Sequence, residues 1–413
     1  MQIIIHRGID QIGGCITEIA TSTTRILIDL GQNLPDNEGN ANDTLATVET
    51  ITKLTGGVDA IFYTHYHGDH VGLMEYVPKC VPQYIGGVAK EVIKTKAKYL
   101  PNQSPEDFDM LVPYHVMQRI VIGNIVVTPF MVSHSAADAY MLLIEADGKK
   151  ILHSGDFRDH GYTGKGLRQF VPKYIGQVDV LITEGTMLGR QSEKVKHESD
   201  LQRELKEIFQ KHKYNFVVCS STDMDRLATI YSATPKGRLF VCDRYQKDIL
   251  DIFTASSGEI RGLFKFEELS VFPKDNLLNN MKESGFTMLV RPNQYKTGKY
   301  WRFTDLTTNT ISNTQRAVIY SMWGGYLDRE STRNPHHIEY LERFGENVER
   351  LHTSGHATTE CLVELCEMTS PRLAIIPIHS EQSADYFNLP LPEELKRKIT
   401  ISSTTLEDVE VVI

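Results

Sequence analysis

Thr64-His65-Tyr66-His67-Gly68-Asp69-His70 is the stretch on which the reading of this chain turns. Its three imidazoles and one carboxylate follow the pattern H-x-H-x-D-H. The apolar run before it, Val58-Asp59-Ala60-Ile61-Phe62-Tyr63, predicts a buried strand, so the cluster is expected on the loop where that strand ends. Gly68 allows a tight turn there. Neutral imidazole and ionised carboxylate suit zinc and its neighbours among the divalent metals. A His-rich polar turn is the competing reading. Every other stretch is read by asking whether it completes a metal site.

A length of 413 residues suggests two or three domains, and 41% hydrophobic with 23% charged residues describes an ordinary globular protein. Met1-Gln2-Ile3-Ile4-Ile5 opens directly into a strand-like run, with no basic segment followed by a long apolar one, so no secretory signal is expected. No apolar stretch approaches the roughly 20 residues that span a bilayer. The six cysteines, Cys15, Cys80, Cys219, Cys242, Cys361 and Cys366, form no C-x-x-C pair and read as reduced, mostly buried thiols of a cytoplasmic protein. The net charge of −9 argues against a generally basic nucleic-acid coat. The balance is uneven. Residues 190–350 carry 25 Lys+Arg against 22 Asp+Glu, and the remainder, with 19 against 31, holds the acidic excess.

Strand-like runs at Gln2–His6, Cys15–Ala20 and Arg25–Leu30 open the chain. Asp29, at the end of the last run, either braces a nearby loop or caps a turn. Glu91–Tyr99 predicts a helix, and Ile120–Val127 and Tyr140–Ala146 predict strands. Two polar turns then supply candidate ligands, His134 in Val132-Ser133-His134-Ser135 and Asp156 in His153-Ser154-Gly155-Asp156. Zinc usually takes four ligands and a pair of ions needs more. A carboxylate with two oxygens, such as Asp156, can lie between two ions.

Val178–Ile182 predicts another strand, before Thr183-Glu184-Gly185-Thr186. From about residue 191 the pattern becomes β-α-β-α, which predicts a parallel sheet covered by helices. Ser199 and Gln202 fit a capping box ahead of the stripe Leu201, Leu205, Ile208 and Phe209. The divisions are 1–190, an inserted α/β domain at 191–345, and a return segment at 346–413. Within the insert, Arg291, Tyr295, Lys296, Lys299, Tyr300, Trp301 and Arg302 mix cations with aromatics, which suits backbone phosphates and base stacking in single-stranded RNA. An ordinary solvated loop is the alternative. Near the end, His352-Thr353-Ser354-Gly355-His356-Ala357 precedes a helix starting near Thr358 or Thr359, and small residues with free N–H groups ahead of a helix make an anion cradle. The run Leu373–Ile378 then delivers His379 at a strand end.

In order and local context these residues resemble the metallo-β-lactamase superfamily: His65-x-His67-x-Asp69-His70, then His134, then Asp156. Glu184 in T-E-G-T, His356 in H-T-S-G-H-A and His379 in I-P-I-H-S-E resemble the three further motifs of its β-CASP branch, and within that branch the bacterial ribonuclease J family. The resemblance implies an α/β protein, an αββα sandwich split by an inserted β-CASP domain. It implies a hydrolase with two divalent metal ions, zinc by default and manganese or iron as alternatives. His65, His67 and His134 would hold one ion, Asp69, His70 and His379 the other, and Asp156 would bridge them. A hydroxide between the ions would attack phosphorus. Catalysis would fall to Asp69, Glu184 and His356, with Glu184 orienting within the site and His356 serving the leaving oxygen. His352, Thr353, Ser354, Gly355 and Ala357 would line a phosphate pocket.

His379 favours RNA, because the DNA-repair members of the branch tend to carry an apolar residue there. Two sequence features depart from the ribonuclease J pattern: His379-Ser380-Glu381 replaces His-Gly-Glu, and Tyr320-Ser321-Met322-Trp323-Gly324-Gly325 replaces a Ser-rich strand end. The family's further C-terminal domain has no counterpart before Ile413, which leaves its mode of oligomerisation in question. A DNA or small-nucleotide phosphodiesterase, a thioester or lactam hydrolase on the same core, and a scaffold with a vestigial site are the alternatives.

Overall fold

The apolar runs of the first hundred residues become strands of one sheet in the computed structural model, which describes all residues except 35–42, 191–193, 259–261, 275, 293–310, 312–314, 402–408 and 413. In spatial order the sheet runs β1 (Gln2–Arg7), β2 (Ile16–Ala20), β3 (Arg25–Ile28), β4 (Ala60–Phe62), β5 (Gln83–Gly86) and β6 (Val112–Tyr114). The late strand β19 (Val409–Val412) adds beside β1. Pairing is antiparallel from β1 to β3 and parallel from β3 to β6.

A second sheet orders β7 (Ile120–Ile122), β8 (Ile125–Val132), β9 (Ala139–Ala146), β10 (Lys149–His153), β11 (Val180–Glu184) and β18 (Ala374–Ile378). Between the sheets lies a core of alternate residues, Ile3, Ile5, Ile26, Ile28 and Phe62 from the first and Leu142, Ile144, Ile151, Ile182 and Ile376 from the second. The opposite faces of the second sheet's strands, with Met141, Leu143, Leu152, Leu181 and Ile375, pack with Leu362, Leu365 and Cys366 of the helix Thr359–Thr369. This is the period-two alternation of strands buried on both faces. The fold is the α/β, αββα sandwich.

Ile120–Val127 is a hairpin rather than one strand. Its halves β7 and β8 pair antiparallel around Gly123-Asn124, where Gly123 takes φ +55°. The Gly-Asn turn outweighs the continuous apolar pattern.

Lys196–Ser354 forms a separate compact unit. Its six strands, β12 (Tyr214–Val218), β13 (Leu239–Cys242), β14 (Leu269–Val271), β15 (Phe286–Val290), β16 (Arg316–Tyr320) and β17 (Val348–Arg350), are all parallel in the order β14-β13-β15-β12-β16-β17. Strand β17 lies beyond residue 345 and still belongs to this sheet through its pairing with β16. The helix Glu198–Lys211 starts before the expected Ser199 cap, and its N-cap His197 makes no side-chain cap bond. Tertiary pairing sets the start: Glu198 is fully buried and accepts from Arg226 Nη2 at 3.0 Å and Nε at 3.1 Å and from Thr229 Oγ1 at 2.9 Å. No helix among the described residues is long and apolar enough to cross a membrane.

Candidate metal centre

Strand direction brings the candidate ligands together. In the second sheet β8, β10, β11 and β18 run the same way, with β9 reversed between β8 and β10. Their C-terminal ends therefore lie at one rim, and they deliver His134, Asp156, Glu184 and His379 there. Strand β4 of the first sheet delivers His65, and the short helix Gly68–Val71 carries Asp69 and His70. Tyr66 binds the two loops: its hydroxyl accepts from Ala137 N at 2.7 Å.

All seven predicted ligands converge. Asp156 Oδ2 is central, 3.2 Å from His70 Nε2, 3.6 Å from His379 Nε2, 3.8 Å from His134 Nε2 and 3.9 Å from His65 Nε2. On one side His134 Nε2 lies 3.3 Å from His67 Nδ1, and His65, His67 and His134 form one potential ligand group. On the other, Asp69 Oδ2 lies 3.2 Å from His379 Nε2 and 3.9 Å from His70 Nε2.

The far ring nitrogens decide which atoms can bind a cation. His70 Nδ1 donates to Asp29 Oδ2 at 2.7 Å, and His134 Nδ1 donates to Gly355 O at 2.6 Å. Each partner is an acceptor only, so Nδ1 carries a proton and Nε2 is the atom left to bind a cation; without one, the surrounding carboxylates outweigh burial and raise the His70 pKa. At His379, Thr186 Oγ1 donates to the backbone O at 3.2 Å and receives Nδ1 at 2.7 Å, which sets the same tautomer. These Nε2 atoms face carboxylate oxygens, His70 and His134 on Asp156 and His379 on Asp69, an arrangement that a bound cation would complete. Nε2 of His65 and of His70 is also buried with no hydrogen-bond partner. The donor set fits divalent metal, and the acceptors behind it are the outer partners that orient such ligands.

Asp29 is the firmest of these. It is fully buried at φ +61°, and besides His70 it accepts Thr64 N at 2.7 Å and Thr64 Oγ1 at 2.8 Å. It braces the ligand loop rather than capping a turn. His379 also sits in the left-handed region, at φ +53°, with its N–H donated to Gly8 O at 2.5 Å. Such a conformation in a non-glycine residue persists where surrounding structure enforces it.

Burial, reinforced by the neighbouring imidazoles, holds His65 well below the ordinary histidine pKa. Burial likewise lowers His134 and brings His67 to about 4, against the pull of nearby carboxylates. These rings are neutral and available as ligands at pH 7. At His356 burial pulls downward too, but Glu184 and Asp156 outweigh it and raise the pKa.

Glu184 and His356 form a pair beside the cluster. Glu184 is buried; its Oε1 accepts Phe157 N at 3.0 Å and Ala357 N at 3.3 Å, and its Oε2 lies 3.0 Å from His356 Nδ1. His356 Nδ1 is also 3.7 Å from Asp156 Oδ2 and 3.2 Å from Thr186 Oγ1. Thr186 escaped the sequence reading. The only signal was its place two residues after Glu184, in the turn that follows β11, which runs parallel to the strand delivering His379.

The predicted phosphate contacts are engaged by protein groups. Ala357 N–H is on Glu184, and Gly355 O is on His134. In the 196–354 unit the Thr353 hydroxyl accepts Lys196 N at 3.0 Å and donates to Lys196 O at 2.7 Å. His352 and Ser354 are half-buried in the same unit. Of the basic aromatic stretch, Tyr295, Lys296, Lys299, Tyr300, Trp301 and Arg302 lie outside the described residues. Arg291 is paired with Asp243, Nε at 2.8 Å, and its guanidinium lies 4.6 Å over the Tyr245 ring.

Residues 24–229 match the model of the beta-lactamase superfamily domain. The chain belongs to the metallo-β-lactamase superfamily. It is a metal-dependent hydrolase of that superfamily, and it resembles bacterial ribonuclease J. Ribonuclease J of Mycoplasma genitalium is 22% identical over 405 residues, covering 92% of this chain and 68% of that protein. Ribonuclease J of Mycoplasma pneumoniae is 22% identical over 409 residues with the same coverage. Ribonuclease J of Helicobacter pylori is 26% identical over 163 residues, 37% of this chain and 22% of that one. A crystal structure of a protein of unknown function from Enterococcus faecalis V583 shares the fold at a TM-score of 0.71 and 20% identity, covering 99% of both chains.

Proposed function

We propose that this superfamily member is a two-metal ribonuclease that hydrolyses phosphodiester bonds of single-stranded RNA, from the 5′ end or internally. The observation that carries the reading is the Glu184–His356 pair at 3.0 Å beside Asp156. A carboxylate-braced imidazole adjoining a metal cluster suits a reaction whose leaving group is an alkoxide needing a proton. The ribonuclease J relatives supply the substrate class.

His65, His67 and His134 would hold one cation, Asp69, His70 and His379 the second, with Asp156 between them. When bound, two such cations lower the pKa of a water at the site and stabilise the added charge at phosphorus. The remaining work belongs to the chain. Asp29, Gly355 and Thr186 hold His70, His134 and His379 in the ligating tautomer. Glu184 and Thr186 receive His356 Nδ1, so Nε2 is the atom that passes a proton to the leaving oxygen. Glu184 acts through His356 and the backbone of Phe157 and Ala357, as a positioning residue.

One labelled strand in four forms tests this: RNA with a 5′-monophosphate, a 5′-triphosphate or a 5′-hydroxyl, and the matching DNA. Each is incubated with wild type and with His356→Ala, and the products are sized on a gel. Metal-dependent cleavage of RNA, lost in the variant, is expected; mononucleotides indicate attack from the end, and longer fragments internal cleavage. RNA cleavage that survives both chelation and His65→Ala would overturn the mechanism. Cleavage of none of the four would move the substrate to a smaller or more specialised molecule.

A further inference from the structure

We propose that Cys15 is a thiolate ligand at the Asp69–His70–His379 side of the metal centre, and that it makes this position select zinc or another thiophilic ion over manganese and magnesium. The proposal rests on the metal-site reading above and adds a donor to it.

Cys15 directly precedes β2. Its backbone is clamped to the ligand loop, with its N–H donated to Asp69 O at 3.1 Å and its carbonyl accepting Gly31 N at 3.0 Å. The side chain is fully buried. Gly8 shows which way it points. A Cβ at Gly8, whose φ is +111°, would stand 3.0 Å from Cys15 Sγ, and the Gly8 carbonyl receives the His379 N–H. The thiol therefore lies against the segment that carries His379. Sγ and one ring nitrogen each of His70 and His379 lie within 4.8 Å of one another. Metal–sulfur and metal–nitrogen bonds of about 2.3 and 2.05 Å, at the roughly 90–120° angles of a five-coordinate ion, separate sulfur from nitrogen by about 3.1–3.8 Å. Small side-chain shifts reach that range.

A second observation is independent of the thiol. His70 Nε2 is buried, faces Asp156 Oδ2 at 3.2 Å as a charge contact, and makes no hydrogen bond of acceptable geometry. Among the described residues, no other cysteine stands in a cluster of potential ligands. Cys361 and Cys366 are packed among apolar side chains of the sandwich core. Cys15 neighbours imidazoles and carboxylates instead, where a plain core residue gains little.

The chemical consequence is a change of preference. Imidazole and carboxylate alone accept zinc, manganese or iron, whereas one thiolate biases a site toward soft ions. On binding, the S–H bond breaks, its proton passes to water, and the sulfur lone pair forms the metal–sulfur bond, so loading releases one proton more than a site without the thiol.

Cobalt substitution tests this without reference to activity. The full chain, stripped by chelation, is loaded with Co2+, and its absorption is recorded for wild type, Cys15→Ser and Cys15→Ala. The expected wild-type spectrum combines the visible ligand-field bands with a near-ultraviolet thiolate-to-cobalt charge-transfer band. The variants should keep the visible bands and lose the charge-transfer band. In competition, the preference for zinc over manganese should fall by roughly tenfold or more. Visible bands without the charge-transfer band in wild type, or the same band in Cys15→Ser, would overturn the proposal. The wild-type spectrum decides even if a variant fails to fold. Failure of wild type to take up cobalt at all, seen as no visible bands, would overturn the metal-site reading itself.

Discussion

Replacing Asp29 with Asn separates metal binding from folding, because the carboxylate has no catalytic contact of its own. Its Oδ1 accepts Thr64 N at 2.7 Å, and its Oδ2 accepts His70 Nδ1 at 2.7 Å and Thr64 Oγ1 at 2.8 Å. In Asp29→Asn the amide oxygen must keep the Thr64 N–H, so the NH2 group takes the Oδ2 position and meets the His70 Nδ1–H. Two donors then face each other in a fully buried place. Leaving that clash costs about 1–3 kcal/mol of folding stability. The imidazole escapes by moving its proton to Nε2, after which Nδ1 accepts from the amide and Thr64 Oγ1 accepts instead of donating. The cheaper outcome is thus a folded protein whose His70 presents N–H where the metal must bind. Loss of an outer partner of a metal ligand costs 10- to 100-fold in affinity, about 1.4–2.8 kcal/mol. Asn tolerates φ +61° well, so backbone strain adds nothing. The assay is zinc competition against a chromophoric chelator, with thermal melts of both metal-free proteins. Zinc affinity within twofold of wild type would refute the tautomer argument. A melt lowered as far as the affinity predicts would show that the clash stays in the fold.

Thr186→Val keeps the shape and removes the oxygen that receives Nδ1 of His379 and His356. We expect kcat on RNA to fall by about tenfold or more while KM changes little, and Thr186→Ser to restore most of it. Glu18 tests pH dependence. Burial alone would raise its pKa, but hydrogen bonds from His6 at 2.8 Å and Arg25 at 2.7 Å bring it down to about 2. A depressed carboxylate stabilises the fold above its unfolded value of about 4.3 and ceases to do so as pH falls through 2. In urea titrations wild type should therefore exceed Glu18→Gln at pH 6, with the gap closing between about pH 4 and pH 2; a gap constant over that range would exclude the ion-pair explanation.

Much of the site was legible because its pieces are local. His65, His67, Asp69 and His70 fall within six residues, and strands ending in polar turns offered His134, Asp156 and His379 as candidates to which the family resemblance gave roles. The β-α-β-α rhythm also marked off the parallel α/β insert, whereas the sandwich came from the family resemblance. Periodicity failed where a short turn or a distant partner took over. The Gly123-Asn124 turn splits one apolar run into two strands. The Glu198–Arg226 pair starts a helix ahead of the Ser199 cap. The H-T-S-G-H-A stretch suggested an anion cradle, yet Ala357 N–H and the Thr353 hydroxyl are engaged by protein groups that no local pattern could reveal.

The sequence by itself determined which side chains are candidate ligands, because spacing and residue type are properties of a few consecutive positions. The tertiary structure alone decided what each ligand is able to do. Asp29 stands 41 residues from His70, Thr186 stands 193 from His379, and Gly355 stands 221 from His134. These distant acceptors hold the proton on Nδ1 and leave Nε2 for a cation. Cys15 acquires its neighbours the same way, since only the folding of β2 against the ligand loop brings its thiol to His70 and His379. A hydrogen bond acts over about 3 Å of space whatever the separation along the chain, so the protonation states that make this cluster a metal site are written in the fold.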